Sequence, residues 1–234
     1  MNTRLDKFIC DSTGLTRSEA KKAIAKGRVS VNGACVKKSE EKIDDSVDKV
    51  SLDNKDISYE KYVYYMLNKP AGVVSATTDN IDITVIDLFK NEKKKNLSCV
   101  GRLDKDTTGL LIVTNDGEMI HKLTSPRKHV FKDYLVTLQK PITIEAVSRL
   151  EAGVDIGDDE PTKPAFVNVT DERCIILSIS EGRFHQVKRM LKAVDNEVTA
   201  LHRLSVGPLR LDNDLGVGKY RKLTDEEIKD LKLC

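Results

Sequence analysis

The stretch GRLDKDTTGLLIVT, residues 101–114, joins a loop that carries two carboxylates to an apolar run. Asp104 and Asp106 lie two positions apart in the loop, and Gly109 separates them from the run at 110–113. An apolar run that directly follows turn-forming residues predicts a buried β-strand. Aspartates also close turns through their own backbone, so neither acid alone identifies a functional site.

Helical and strand patterns alternate irregularly through the rest of the chain. Helices are predicted at 118–123, 144–150, 183–193 and after Thr224, which forms a capping box with Glu227. Strands are predicted at 110–114, 132–138, 174–179 and 197–204, with a strand, a turn and a second strand at 62–74. This mixture predicts an α+β fold whose larger domain has a mixed, mainly antiparallel sheet.

Charge is distributed unevenly along the 234 residues, although the net charge is only +2. Residues 1–38 contain nine Lys and Arg against three acids, whereas residues 39–60 contain eight acids against three lysines. This asymmetry predicts a basic module followed by an acidic linker at 1–60, and a second domain at 61–234. Some apolar positions of 39–60 are candidates to complete the sheet of the basic module. A solvated surface with accidental clustering explains the charges equally well.

The N-terminal residues fit a small helical module with a hairpin. Leu5, Phe8 and Ile9 share one helical face, and Gly14 ends that helix. Thr16 and Glu19 form a capping box for a second helix, whose inward face carries Ala20, Ala23 and Ile24. Asn32 and Gly33 between alternating valines predict a type I′ hairpin.

Exposed cations are predicted on this module. Arg17 and Lys21 lie at positions i and i+4 on the outer helical face, where like charges repel by a few tenths of a kcal/mol. A sequence that accepts this repulsion is expected to meet an anion there, and phosphates suit such contacts. The candidate RNA-binding residues are Arg4, Lys7, Arg17, Lys21, Lys22 and Arg28.

These residues resemble an S4 RNA-binding domain, the αL module of ribosomal protein S4 and of several RNA-modifying enzymes. The resemblance rests on the R-L-D-K start at residue 4, the R-x-x-A helix and the G-x-V-x-V-N-G hairpin that begins at Gly27.

The larger domain resembles the pseudouridine synthases, in the branch that contains RsuA, RluB, RluE and RluF. The loop motif G-R-L-D-x-x-[ST]-[ST]-G-L is matched at residues 101–110, and M-L-N-K-P-x-G at 66–72. The K-x-Y-x-V motif is matched at 132–136, and E-G-R-x-H-Q-V-K-R-M at 181–190. Together with the S4-like module, the resemblance covers nearly the whole chain.

The resemblance implies a role for each motif residue. A pseudouridine synthase breaks the N1–C1′ bond of a uridine and joins C5 to C1′, and Asp104 matches its catalytic carboxylate, whereas Asp106 does not. Lys188 matches the cation that pairs with this carboxylate; burial favours the neutral acid, and a fixed cation opposes that. Tyr134 matches the ring that stacks on uracil. Supporting roles fall to Arg102, as a brace for the loop, and to Arg183, His185 and Gln186. Attack at C1′ and attack at C6 of uracil both remain open.

The resemblance also implies substrate and context. We expect no cofactor, because the reaction is an internal rearrangement, and no metal, because the histidines and cysteines lack ligand spacing. An S4-like module without a long basic C-terminal tail favours an RsuA-like synthase that acts on small-subunit (16S) ribosomal RNA. The alternatives are large-subunit (23S) ribosomal RNA and a non-catalytic RNA-binding or ribosome-assembly factor. The chain shows no apolar signal or membrane-length run, so we expect a cytoplasmic monomer.

Overall fold

The computed structural model describes residues 2–45, 47–57, 62–90, 92 and 96–234. The chain forms two compact units, the first ending at Val63 and the second comprising Tyr64–Lys90 and Asn96–Cys234. The predicted boundary between residues 60 and 61 lies outside the described residues. Within the described ranges, every helix is too short or too polar to cross a membrane.

The first unit combines two helices with short strands. In chain order these are β1 Asn2–Arg4, α1 Leu5–Thr13, α2 Arg17–Ala25, β2 Val29–Val31, β3 Ala34–Cys35, β4 Lys42–Asp44, β5 Val50–Leu52 and β6 Lys55–Ile57. One sheet has the order β3-β2-β5-β6, and β1 pairs with β4. Leu5, Phe8 and Ile24 are among the side chains that fill the core between helices and sheet.

The local predictions for this unit are confirmed. Gly14 ends α1 in the left-handed region, and the capping box of Thr16 and Glu19 begins α2. Asn32 and Gly33 both have positive φ, as a type I′ turn between β2 and β3 requires. Within the segment predicted as an acidic linker at 39–60, apolar positions do complete this unit's sheets, because β4, β5 and β6 form there and take up nine of its residues. Its acidic residues therefore lie mainly on and between strands.

The second unit is built on one large sheet. Its strands are β7 Tyr64–Lys69, β8 Ser98–Cys99, β9 Thr108–Thr114, β10 Lys132–Leu138, β11 Phe166–Asp171, β12 Cys174–Ile179, β13 Val198–Arg203, β14 Ser205–Val206, β15 Leu209–Arg210 and β16 Tyr220–Lys222. Its α-helices are α3 Gly117–Thr124, α4 Ile144–Ala152, α5 Gln186–Ala193 and α6 Asp225–Leu233, with 3₁₀ turns at Ile86–Phe89 and Pro126–Lys128.

The order of the large sheet is β11-β12-β10-β13-β9-β7-β16, and β8 also pairs with β9. The β13–β9 pair is parallel and the other pairs described in this sheet are antiparallel. This confirms the α+β class and the mixed, mainly antiparallel sheet.

Strand β9 is the apolar run that follows the carboxylate loop. Its residues Leu110, Leu111, Ile112 and Val113 are completely buried, as the sequence predicted. Gly109 has a φ of +101°, and a Cβ at this position would collide with the backbone of Arg203 in the parallel strand β13. Only glycine allows the loop to enter the sheet this close to its neighbour.

Two predicted elements differ from the structure. The second strand expected before residue 74 is reduced to a single bridge between Val74 and Thr84, because the chain after β7 turns away as a loop. The helix predicted from residue 183 begins only at Gln186, because His185 adopts a left-handed conformation as its N-cap. Arg183 is therefore free of helical geometry and turns toward a neighbouring loop.

Candidate active site

A cavity of about 530 Å³ opens in the second unit, beside the loop that precedes β9. This volume lies within the range of sites that hold small molecules. The lining comes from that loop, from β10 and from the segment before α5, and it includes Arg102, Asp104, Lys132, Tyr134, Arg183 and His185. The three predicted motif groups therefore meet at one cavity.

Lys69, at the end of β7, anchors the carboxylate loop through hydrogen bonds from its ammonium group. Its Nζ donates to the carbonyl oxygens of Thr107 at 2.8 Å, Pro70 at 3.0 Å and Asp104 at 3.1 Å. Ser75 adds two bonds to Leu103, since its hydroxyl donates to the carbonyl oxygen and accepts from the amide. These bonds position the Asp104 backbone at the cavity wall.

Lys69 is completely buried. Burial lowers the pKa of its ammonium group to about 8, although the charges of Asp106 and Asp104 oppose the shift. The motif around residues 66–72 was matched in the sequence without a role for this lysine. The sequence signal that could have predicted a role for this lysine is the N-K-P turn after a buried strand, because a lysine at that position must find polar partners inside the fold.

Lys188 contacts both aspartates of the loop. Its Nζ lies 3.3 Å from Asp104 Oδ2, and it donates to both oxygens of Asp106 at 2.6 and 2.8 Å. The structure thus brings Lys188 to Asp104, as the motif match predicted. It also adds Asp106, which the sequence reasoning had set aside as lacking the catalytic role.

The shared lysine and Asp106 influence each other's ionisation. Burial lowers the pKa of Lys188, but the hydrogen bond to Asp106 and the charge of Asp104 outweigh burial, so the pKa lies above its usual value. The hydrogen bond from Lys188 holds the pKa of Asp106 below its usual value. Lys188 and Asp106 are therefore both charged at neutral pH.

Tyr134 forms a wall of the cavity from the middle of β10. It is buried and lies in register with Leu177 of β12 and Arg203 of β13. Arg203 is itself buried, and its Nε donates to the Leu110 carbonyl oxygen at 2.7 Å. The backbone that carries the ring is thereby held between strands on both sides.

His185 reaches Asp104 from the segment before α5, with 3.6 Å between its Nε2 and Asp104 Oδ1. Gln186 is buried, and it accepts from the Arg183 amide and donates to Glu181. The Arg183 side chain donates to the carbonyl oxygens of Glu160 at 2.6 Å and Pro161 at 2.8 Å. Arg183 therefore anchors the segment before α5 to a neighbouring loop and makes no hydrogen bond to the carboxylate loop within the described ranges.

The structure does not support Arg102 as the brace of the carboxylate loop. Its side chain is exposed, lines the cavity and makes no hydrogen bond or ion pair within the described part of the chain. Lys69 and Ser75 make the bracing contacts instead. Lys132, which was matched in the K-x-Y-x-V motif without a role, also lines the cavity. Burial lowers its pKa to about 8, with the charge of Arg203 acting in the same direction and that of Glu181 opposing it.

The six candidate RNA-binding residues are all exposed on the first unit. Three of them are held by carboxylates: Arg4 and Arg17 both donate to the buried Asp6, and Arg28 donates to Asp53. The hydrogen bond from Arg4, acting against burial, lowers the pKa of Asp6 to about 2. The other three, Lys7, Lys21 and Lys22, make no ion pair within the residues that the structure describes, so their ammonium groups remain available.

Two family models match the chain. Residues 63–193 match the family of RNA pseudouridylate synthases, and residues 3–48 match the S4 domain. The matched ranges include the carboxylate loop, Tyr134 and Lys188 in the first case, and α1, α2 and the hairpin in the second.

Relatives at more than 40% identity cover almost the full chain. The ribosomal small subunit pseudouridine synthase A of Haemophilus influenzae is 43% identical over 97% of this chain and 99% of its own length. The protein of the same name from Escherichia coli K12 is 42% identical over 96% of this chain and 98% of its own length. A solved structure described as a pseudouridylate synthase has 42% identity and a TM-score of 0.70, covering 97% of this chain and 99% of its own.

Proposed function

The chain belongs to the RNA pseudouridylate synthase family and carries an S4 domain, and from this we propose that it converts one uridine of small-subunit ribosomal RNA to pseudouridine. Relatives that cover nearly all of it are named as small-subunit synthases, which favours that RNA over large-subunit RNA. We also propose that it acts as a monomer on ribosomal RNA in the cytoplasm.

Asp104 is the proposed catalytic carboxylate. When the N1–C1′ bond opens, C1′ becomes electron-poor, and a carboxylate against it stabilises the charge or forms a covalent bond, as in glycosidases. Uracil then turns, C5 bonds to C1′, and the proton leaves C5. The observation that carries this proposal is Asp104 at a cavity wall with Lys188 at 3.3 Å and Tyr134 lining the same cavity.

Asp104 is suited to this role by its surroundings. Its side chain is 25% exposed, whereas that of Asp106 is 71% exposed, so a bound uridine would cover mainly Asp104. A covered carboxylate favours its neutral form unless a cation is held nearby, and Lys188 is that cation. Asp106 then acts as a positioning residue that holds Lys188.

Tyr134 would receive the base. A flat ring in a wall fixed by the sheet offers a stacking face to uracil, and its phenol can assist the loss of the C5 proton. The uridine has to leave its stack to reach the cavity, which costs a few kcal/mol. Cations of the S4 domain and around the cavity offset that cost through phosphate contacts.

A tritium-release assay tests the proposal. Small-subunit ribosomal RNA labelled with tritium at C5 of uridine releases one tritium for each pseudouridine formed. We expect release by the wild-type protein and none above background by Asp104→Asn, with RNA affinity within a few-fold of wild type. Turnover by Asp104→Asn near the wild-type rate would remove Asp104 from this role.

Asp106→Asn is the matched variant, because it makes the same chemical change two residues away. It leaves Lys188 close to Asp104, so we expect a reduced rate that is still measurable. Labelled large-subunit RNA serves as the competing substrate. Release from that RNA alone would contradict the proposed target, and binding of both RNAs without release would identify a non-catalytic RNA-binding factor.

A further inference from the structure

Phe184 is an exposed aromatic residue at the cavity. Its side chain is 76% exposed, the highest value among the described aromatic residues, yet it lines the cavity that holds Asp104. One face of its ring stacks on the His185 ring, with 3.9 Å between centroids and 18° between planes. The opposite face has no ring partner among the described residues and opens to solvent.

The backbone that carries these rings is held in place on both sides. Arg189 donates to the Phe184 carbonyl oxygen at 3.1 Å, and Gln186 accepts from the Arg183 amide. His185 has a φ of +48°, in the left-handed region. Residues other than glycine are held there at an energetic cost, and such residues concentrate at ligand sites. The stack is therefore preorganised rather than a consequence of a loose loop.

The position of the stack relative to Asp104 suggests its ligand. His185 lies 3.6 Å from Asp104, and Phe184 lies one stacking distance beyond His185. If a uridine occupies the space at Asp104, the open face of Phe184 is within reach of the adjoining nucleotide. We propose that Phe184 and His185 form a stacking subsite for an unpaired nucleobase next to the extruded uridine, an inference that rests on the proposed function.

A nucleobase is the ligand that this surface fits best. Extruding one uridine breaks the stacking of its neighbours, and proteins replace such lost contacts with aromatic side chains. Every base has a π-face, so a two-ring platform gives affinity with little sequence choice. The exposed Arg102 lines the same cavity and can contact the phosphate that joins the two nucleotides.

Four single variants of the full chain test the subsite. Phe184→Tyr keeps a ring, Phe184→Leu keeps apolar volume without a ring, and Phe184→Ala removes both. Phe166→Ala is the matched control, because Phe166 is 64% exposed on β11, contacts Phe131 and does not line the cavity. Each is assayed by tritium release, and by fluorescence of 2-aminopurine placed 5′ or 3′ of the modified uridine in an RNA oligonucleotide.

A stacking role predicts that Phe184→Ala and Phe184→Leu raise KM between about five-fold and one hundred-fold, the range of single base–aromatic contacts. Their kcat stays within a few-fold, Phe184→Tyr restores KM, and Phe166→Ala matches wild type. Wild-type protein quenches 2-aminopurine on one side of the uridine, and the leucine variant does not.

Two results would overturn the subsite. One is a leucine variant with wild-type KM and quenching, which would reduce Phe184 to a surface packing residue. The other is wild-type turnover without quenching on either side. Both leave the proposed function intact, whereas absence of tritium release by the wild-type protein would instead contradict the proposed function itself.

Discussion

Replacing Lys69 by methionine is expected to destabilise the second unit and misplace the carboxylate loop. The ammonium group is completely buried and donates to the carbonyl oxygens of Thr107, Pro70 and Asp104 within 3.1 Å. Methionine has a similar length and no donor, so the oxygens of Thr107 and Pro70 lose this bond, whereas that of Asp104 keeps a bond from the Thr107 amide at 3.1 Å. An acceptor left without a donor costs roughly 1–3 kcal/mol, so the loss for two oxygens is at least about 2 kcal/mol before the relief of burying a charge is subtracted.

The pH dependence of this loss in stability separates the cost of the missing hydrogen bonds from the relief of no longer burying a charge. In the folded protein the pKa of Lys69 is lowered to about 8, whereas the unfolded chain keeps its proton until about pH 10.5. Between these values the unfolded state binds more protons, so wild-type stability rises with pH through this window. At 1.36 kcal/mol per pKa unit, the gain by pH 10 is about 2 to 3 kcal/mol. Methionine has no such gain, so the deficit of the variant should grow from pH 8 to pH 10.

Urea unfolding followed by far-ultraviolet circular dichroism measures this deficit at pH 7, 8, 9 and 10. Other ionisable groups, including Lys132, are present in both proteins and cancel in the difference. Lys105→Met is the control, since Lys105 belongs to the same loop but is exposed and pairs only with Asp82 within the described ranges. An exposed pair contributes about 0–1 kcal/mol. A deficit for Lys69→Met that stays constant across this pH range would refute the buried-ammonium argument.

Two further predictions concern the cations that are proposed to meet RNA or Asp104. Lys188→Met removes the positive group between the two aspartates, so the rate of tritium release should fall about 100-fold. Lys188→Arg keeps the charge and should retain most of the rate. Equal loss in both variants would contradict a requirement for charge alone. Lys21→Gln with Lys22→Gln should weaken RNA binding and reduce the slope of log K against log salt by about 1.4 to 1.8, because each phosphate contact contributes about 0.7–0.9. An unchanged slope would exclude this face of the S4 domain as a site of phosphate contacts. These lysines test the face better than Arg17, because the contact of Arg17 with the buried Asp6 supports the fold.

Much of the fold could be predicted because its signals are local. The capping boxes at Thr16 and Thr224, the Asn32–Gly33 turn and the apolar run of β9 each depend on neighbours within a few residues, and all four are present. Failures occurred where a distant partner decides. Strand β16 was not predicted, and it forms because β7 offers it an edge that the local pattern does not show.

The same distinction applies to the candidate site. The resemblance to the pseudouridine synthases predicted that Asp104, Tyr134 and Lys188 share a site, and they line or adjoin one cavity. It did not predict that Lys69 would support the loop, because that contact spans 35 residues and follows from the pairing of β7 with β9. It assigned bracing to Arg102, which the structure leaves exposed. A motif shows which residue types occur together, but only the fold decides which backbone atoms each one meets.

The two aspartates show how the fold can give identical side chains different tasks. Lys188 makes its shortest bonds to Asp106, at 2.6 and 2.8 Å, and a longer contact of 3.3 Å to Asp104. Because Asp106 takes the shortest bonds of the ammonium group, Asp104 is held less tightly, with its Oδ1 at 3.6 Å from His185 Nε2. A single aspartate paired directly with Lys188 would have to give up that ion pair before it could act. Under the proposed function, the D-x-D spacing of the loop thus supplies one acid to hold the cation and a second acid to meet the substrate.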